Sequence, residues 1–191
     1  MQLDSLTEEQ RRKAVAIALT ANTPLAPQRY ERELLTRYQA GELTLADVEA
    51  LLAASVYHVA YRSHTGQFPT QVLLHDLLAQ SQAYNAAHGL TGVLLYSAGQ
   101  FVQVLEGPEE EVRAVYGRIQ RDLRHTDVRT LSEGPGPKRR FADWRMAFTA
   151  VPPAQLDAAL GAVVQQRPPH LPVEDPHLRA LLELVGVPLS E

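Results

Sequence analysis

The stretch VLLYSAGQFVQVLEGPEEEVRAVYGRI, residues 93–119, decides how this chain folds. Residues 93–96 and 100–106 are short runs rich in valine, leucine and aromatic side chains, joined at Ser97-Ala98-Gly99, and that is a hairpin signal. Gly107-Pro108 then breaks the strand, and Glu109, Glu110 and Glu111 put acid at the positive end of a helix dipole, with proline in the first turn. Val112, Val115, Tyr116 and Ile119 follow at i, i+3, i+4 and i+7, the spacing of one helix face.

Working outward, residues 56–63 read as a strand, and Leu73, Leu74, Leu77, Leu78, Ser81 and Asn85 share one face of a helix closed by Gly89. Residues 127–133 and 144–149 read as two further strands, separated by the turn-rich, basic stretch 134–140. The order β-α-β-β-α-β-β is a split βαβ pattern. It implies an α+β, ferredoxin-like fold: a mixed, largely antiparallel sheet with two helices on one face. Two apolar helical stretches, 154–165 and 177–185, are expected to cover the other face.

Ahead of the sheet the chain reads as helices. Thr7 to Gln10 has the form of a capping box, and good helix formers continue to Ala21. A second helix is expected over 27–40, with Tyr30, Leu34 and Tyr38 on one stripe and Gly41 ending it. Thr44 reads as the N-cap of a third helix over 45–54, with Val48, Leu51 and Leu52 on its apolar face. The expected organisation is a helical N-terminal extension over 1–55, a core domain over 56–150 and a helical C-terminal cap over 151–191.

Composition narrows the function. The 191 residues are 45% apolar and 21% charged, with 18 basic against 22 acidic side chains, a net charge of −4. Both ends of the chain are net acidic, so no nucleic-acid partner is expected. No apolar run approaches the roughly 20 residues of a membrane helix, and the N-terminus lacks a signal pattern, so a cytoplasmic protein with no membrane partner is expected. With no cysteine, chemistry must come from oxygen and nitrogen side chains or from a bound cofactor. No metal site is expected, because the seven histidines are scattered. Gly89-Leu90-Thr91-Gly92 precedes a strand, the wrong context for a phosphate loop. The basic run Lys138-Arg139-Arg140 could touch phosphate, but three basic residues in a turn read first as solvated.

Four polar residues stand where burial is expected. Asn85 lies seven residues after Leu78 and eleven after Leu74, which puts it within about 20° of both on the helix. Gln103 shares a strand face with Phe101 and Leu105. Tyr61 and Ser63 share one with Tyr57 and Val59. A neighbouring backbone group could satisfy any one of these side chains. Several aimed at one cavity argue for a polar ligand, since each unsatisfied buried group costs about 1 to 3 kcal/mol.

Taken together, Tyr61-Arg62-Ser63, Asn85 with Gly89-Leu90-Thr91-Gly92, the run from Phe101 to Gly107, Asp122-Leu123-Arg124-His125, and Arg140-Phe141 with Trp144-Arg145-Met146 resemble the BLUF family of blue-light sensors that use flavin. The resemblance covers about residues 56–150. It implies FAD as the usual cofactor, with FMN possible, its ring lying between the two helices. It also implies that Tyr61, Asn85 and Gln103 surround the ring's pyrimidine edge. In that family Asn85 would hold the ring's polar edge, Gln103 would be the switch, and Tyr61 would give up an electron and a proton to the excited flavin through Gln103. An amide suits a switch because one planar group carries both donors and an acceptor. Ser63, Asp122, Arg124 and His125 would lie near the cofactor, with Asp122, Arg124 and His125 towards its ribityl side. Tyr84 stands where some members carry histidine. Trp144 and Met146, expected on one side of their strand with Phe148, would relay the change.

The expected function is a blue-light receptor, not an enzyme, signalling through protein contacts to an unknown partner or to another copy through its helical extensions. The alternative is a ferredoxin-like binding or scaffold domain without light sensing. A flavin enzyme is disfavoured because no acid/base pair is evident.

Overall fold

The computed structural model describes residues 7–20, 26–66, 70–165 and 175–186. Three helices, α1 Glu8–Thr20, α2 Arg29–Ala40 and α3 Leu45–Ala53, precede the sheet. Then come β1 Val56–His64, α4 Gln71–Ala87, β2 Thr91–Ser97, β3 Gln100–Gly107, α5 Glu109–Ile119, β4 Thr126–Gly136 and β5 Ala147–Ala150. Two helices, α6 Pro153–Gln165 and α7 Pro176–Leu184, follow.

The strands form one sheet in the order β4-β1-β3-β2-β5. β3 runs antiparallel to β1 and β2, β4 antiparallel to β1, and β5 joins the edge parallel to β2. This is the ferredoxin-like arrangement with one added strand. The β2–β3 hairpin turns through Ala98 and Gly99, at φ 46° and 86°, the two-residue turn whose twist matches that of the strands.

Strand alternation separates two cores. Tyr57, Val59 and Tyr61 of β1 and Leu105 of β3 point to one side, where they meet Val112 and Tyr116 of α5 and Leu78 and Tyr84 of α4. Ala60, Val93, Leu95, Val102 and Val104 point to the other, against Leu156 of α6 and Leu178, Leu181 and Leu182 of α7. The C-terminal helices therefore cover the second face, as their apolar stripes suggest. Each fully buried leucine there contributes about 1.5 to 3 kcal/mol relative to exposure, enough to hold the cap on the sheet.

The N-terminal helices have their own small core of Tyr30, Leu34, Tyr38 and Val48. Gly41, at φ 83°, closes α2, and the Thr44 hydroxyl accepts from the Asp47 N–H at 3.2 Å to start α3. The capping box at α1 forms as read: Thr7 N donates to Gln10 Oε1 at 2.8 Å, and Gln10 N to Thr7 Oγ1 at 3.3 Å.

Three local expectations are corrected. β4 continues to Gly136 instead of turning at Gly134, because an edge strand tolerates Pro135. Pro108 is the N-cap of α5, one position before its first turn. β5 begins at Ala147, not 144. The Gly92 N–H bonds to Trp144 O at 2.7 Å, and Met146 sits at φ 154°, so the chain ahead of β5 is a loop. Trp144 and Met146 consequently do not share a side. Met146 packs in the core beneath α4 and α5, and Trp144 packs on the opposite face, its ring 5.8 Å from that of Phe141.

Candidate functional site

Tyr61 and Gln103 are direct cross-strand partners on β1 and β3, so their side chains leave the same face of the sheet. The Tyr61 hydroxyl donates to Gln103 Oε1, and Gln103 Nε2 donates to Met146 Sδ at 3.2 Å. Tyr61 is fully buried and Gln103 nearly so. Burial pushes the Tyr61 phenol well above its ordinary pKa, and Tyr116 and Asp122 act in the same direction. The phenol therefore stays a neutral donor at ordinary pH, which sets the amide with its oxygen towards Tyr61 and its NH2 towards the methionine. A thioether is a weak acceptor, so one side of the Gln103 amide is held firmly and the other loosely.

Asn85, in the last turn of α4, is 3% exposed, which bears out its assignment to the buried face. Its Nδ2 donates to Arg145 O at 2.7 Å, and Gln82 Nε2 donates to Met146 O at 3.1 Å. Residues 145–146 are thus tied to α4 by two backbone carbonyls and to β3 by the methionine sulfur. These ties hold Met146 at a positive φ that a side chain with a Cβ rarely adopts.

Ser63 and His125 form a second pair, Oγ to Nδ1 at 2.9 Å. Burial lowers the His125 pKa, which favours the neutral ring. Asp122 accepts from Arg124 Nε at 3.0 Å, and that bond above all holds the Asp122 carboxyl at about 2. Ser63, Asp122, Arg124 and His125 gather at the α5–β4 turn, beside the Tyr61–Gln103–Met146 chain and not within it. Asp122 reaches that chain through its charge alone. Trp144 does not join it.

Several contacts of the site were not read from the sequence. Gln82 lies one helical turn before Asn85, a signal that was available. Tyr116 belongs to the apolar stripe of α5, but its ring is 5.1 Å from that of Tyr61 and its hydroxyl shares a 2.8 Å hydrogen bond with Thr130 Oγ1. Tyr84 is stacked on His88 at 3.8 Å, and the Arg118 guanidinium of α5 lies over the Tyr84 ring at 4.4 Å, a cation–π contact between the two helices that no spacing announces. Arg139, read as solvated, is half-buried and donates to Gly89 O at 2.6 Å and Thr91 Oγ1 at 2.9 Å.

The site suits a flat heteroaromatic ring. Leu74, Leu77 and Leu78 of α4 are half-buried. The side chain of Leu73 lies outside the described residues. Beside this apolar strip, Asn85 and Gln103 each carry a second amide hydrogen and further acceptor capacity. Apolar walls with a few convergent polar groups are what such a ligand requires. Among the described residues no cluster of histidine and carboxylate side chains could hold a metal, and no helix is long and apolar enough to cross a membrane.

Comparison with known proteins agrees with this site. A family model described as sensors of blue light using FAD matches residues 56–147. The blue light- and temperature-regulated antirepressor BluF of Escherichia coli (strain K12) is 32% identical over 103 residues, 54% of this chain and 26% of that protein. The photoactivated adenylate cyclase subunit beta of Euglena gracilis is 35% identical over 89 residues, 46% of this chain and 10% of the relative. The chain therefore spans about a quarter or less of the length of these curated relatives. The solved structure of BlrP1 BLUF is 30% identical with a TM-score of 0.51, and the match covers 68% of this chain and 90% of that one. With the sheet order, the buried Tyr61–Gln103 pair and these matches in agreement, the chain belongs to the BLUF family, the sensors of blue light that use FAD.

Proposed function

We propose that residues 56–150 are the light-sensing unit of this protein and that Tyr61, Gln103 and Asn85 carry its photochemistry, with the flanking helices of 1–55 and 151–191 as the route to a protein partner or a second copy. The buried hydrogen bond from Tyr61 to Gln103, continued weakly to Met146, is the observation that carries this reading. FAD, when bound, supplies the blue-absorbing ring and, once excited, an electron acceptor. Tyr61 is the side chain able to release an electron and a proton together, with Gln103 Oε1 placed to receive that proton. Once the phenol no longer donates, the amide loses its firm bond, and the weak thioether contact does not resist its reversal. Asn85 presents its amide to the ring's polar edge while holding Arg145 O. Ser63, Asp122, Arg124 and His125 are proposed to border the cofactor beyond the α5–β4 turn.

The loop ahead of β5 supports a relay through Met146 and Trp144. Met146 touches Gln103 on one face of the sheet, and two residues earlier Trp144 packs into the core formed with the C-terminal helices. A change at the amide therefore has a two-residue path through the sheet edge to α6 and α7.

The test is a visible absorption spectrum of the purified, FAD-loaded protein in the dark and immediately after blue illumination. A flavin spectrum that moves slightly to the red and returns in the dark supports the reading. Bleaching, or a spectrum that illumination leaves unchanged, overturns it.

A further inference from the structure

Glu106 lies on the central strand β3, three residues past Gln103 and on the opposite face of the sheet. It is 1% exposed, so its carboxylate is as buried as any leucine in the core. Both of its oxygens accept from the Arg140 N–H at 3.0 Å, and Oε2 accepts from the Phe141 N–H at 2.9 Å. Arg139 completes the arrangement from the other side, donating to Glu106 O at 3.1 Å, Thr91 Oγ1 at 2.9 Å and Gly89 O at 2.6 Å. Residues 139–141 are thereby fastened to the end of β3, the start of β2 and the turn after α4.

Burying a carboxylate is costly, and its desolvation is offset here only by charge-assisted bonds to backbone N–H groups and by the nearby guanidinium. Packing alone does not require a charge at this place, since Val102 and Val104 fill the same face with apolar side chains. The particular thing this carboxylate does is fix a backbone. The fixed segment leads directly into Phe141, Trp144 and Met146. Phe141 is buried against the cap helices, Trp144 O accepts from the Gly92 N–H, and Met146 reaches Gln103. One end of the 139–146 segment is therefore anchored on β3, while the other, tied to α4 through Arg145 O and Met146 O, sets its methionine against the amide proposed to switch.

We propose that Glu106 and Arg139 are positioning residues of the light response: they anchor residues 139–141 so that displacement of Met146 by Gln103 is taken up at Trp144 and passed to α6 and α7. This rests on the photochemical reading above and adds to it the fixed point against which the loop moves. A loop without that anchor would relax locally, returning quickly and passing little to the cap.

Glu106→Gln tests it, because the amide keeps the volume but turns a donor towards the Arg140 and Phe141 N–H groups. Wild type and variant are loaded with FAD and compared by the light-induced red shift, by dark recovery, and by light-minus-dark hydrogen exchange in α6 and α7. The variant is expected to keep the red shift, because the Tyr61–Gln103 pair is untouched. It should recover about tenfold faster, the rate equivalent of one charge-assisted hydrogen bond, and lose the exchange difference in the cap. A merely structural role would lower the melting temperature and leave recovery and exchange difference as in wild type, and that result overturns the proposal. Should Glu106→Gln fail to fold, Arg139→Gln gives the same three readouts at a half-buried position, and failure of both to fold also overturns it. Absence of a red shift in the wild type would instead be a failure of the photochemical reading.

Discussion

Replacing Asp175 by asparagine isolates the charge that joins the three parts of the chain. Asp175 Oδ1 caps α7 by accepting from His177 N at 2.8 Å and Leu178 N at 3.2 Å, and Oδ2 lies 3.7 Å from Arg29 Nε of α2 and 3.9 Å from His58 Nε2 of β1. Burial alone would raise this carboxyl, but the bonds and charges of His177, His58, Leu178 and Arg29 outweigh it and hold the group at about 2 against an ordinary 3.8. Burial lowers the His58 pKa, which favours its neutral ring near neutrality. A folded pKa below the unfolded one contributes stability that is fully present above the unfolded value and is lost as pH falls through the folded one. The contribution is about 2 kcal/mol at pH 7 and about 1 kcal/mol at pH 3. Asparagine caps helices nearly as well as aspartate, so the cap survives the change and the charge does not. Urea unfolding of Asp175→Asn should therefore show a loss of about 2 kcal/mol at pH 7 that shrinks to roughly half at pH 3. Equal stability at pH 7, or a deficit that acid leaves unchanged, would refute the reasoning.

Three further expectations follow from the site and the sheet. Tyr61→Phe and Gln103→Leu should each retain FAD and abolish the persistent red shift, read by absorption after illumination; an undiminished shift in either removes that residue from the photochemistry. Asn85→Ala should weaken FAD retention by about ten- to a hundredfold, the worth of one or two buried hydrogen bonds, measured by dialysis against free FAD; full retention would mean that the amide serves only to hold Arg145 O. A methyl on Gly92 would stand 2.0 Å from Val104 O, at a φ of 158°, with no rotamer to relieve it. Gly92→Ala should cost at least about 2 kcal/mol, and an unchanged melting temperature would contradict that.

The residues that proved easiest to place from the chain alone are those governed by a local rule. Gly41 closes a helix because left-handed backbone suits glycine, Thr44 caps one because its hydroxyl reaches the Asp47 N–H, and Ala98-Gly99 turns a hairpin. Each outcome depends on a handful of neighbouring atoms. Alternation also grouped faces correctly within β1 and within β3, Tyr61 with Tyr57 and Val59, and Gln103 with Leu105; that Tyr61 and Gln103 stand together was implied by the family resemblance alone. The error at Trp144 and Met146 marks the limit of that rule. Alternation presumes a regular strand, and the Gly92 bond to Trp144 O, made by a residue some fifty positions earlier in the chain, keeps the segment from being one.

Sequence by itself therefore determined the order of elements, the split βαβ arrangement, the buried positions of Tyr61, Asn85 and Gln103, and the family resemblance, because periodicity, caps and motif residues act over one or two turns of chain. Only the tertiary structure decided that Met146, not a second polar group, meets the Gln103 amide, that Arg139 is a tie and not a solvated charge, that Glu106 grips two N–H groups more than thirty residues away, and that Asp175 joins the cap to α2 and β1. All four are contacts between distant segments, and their partners are set by how the sheet brings those segments together.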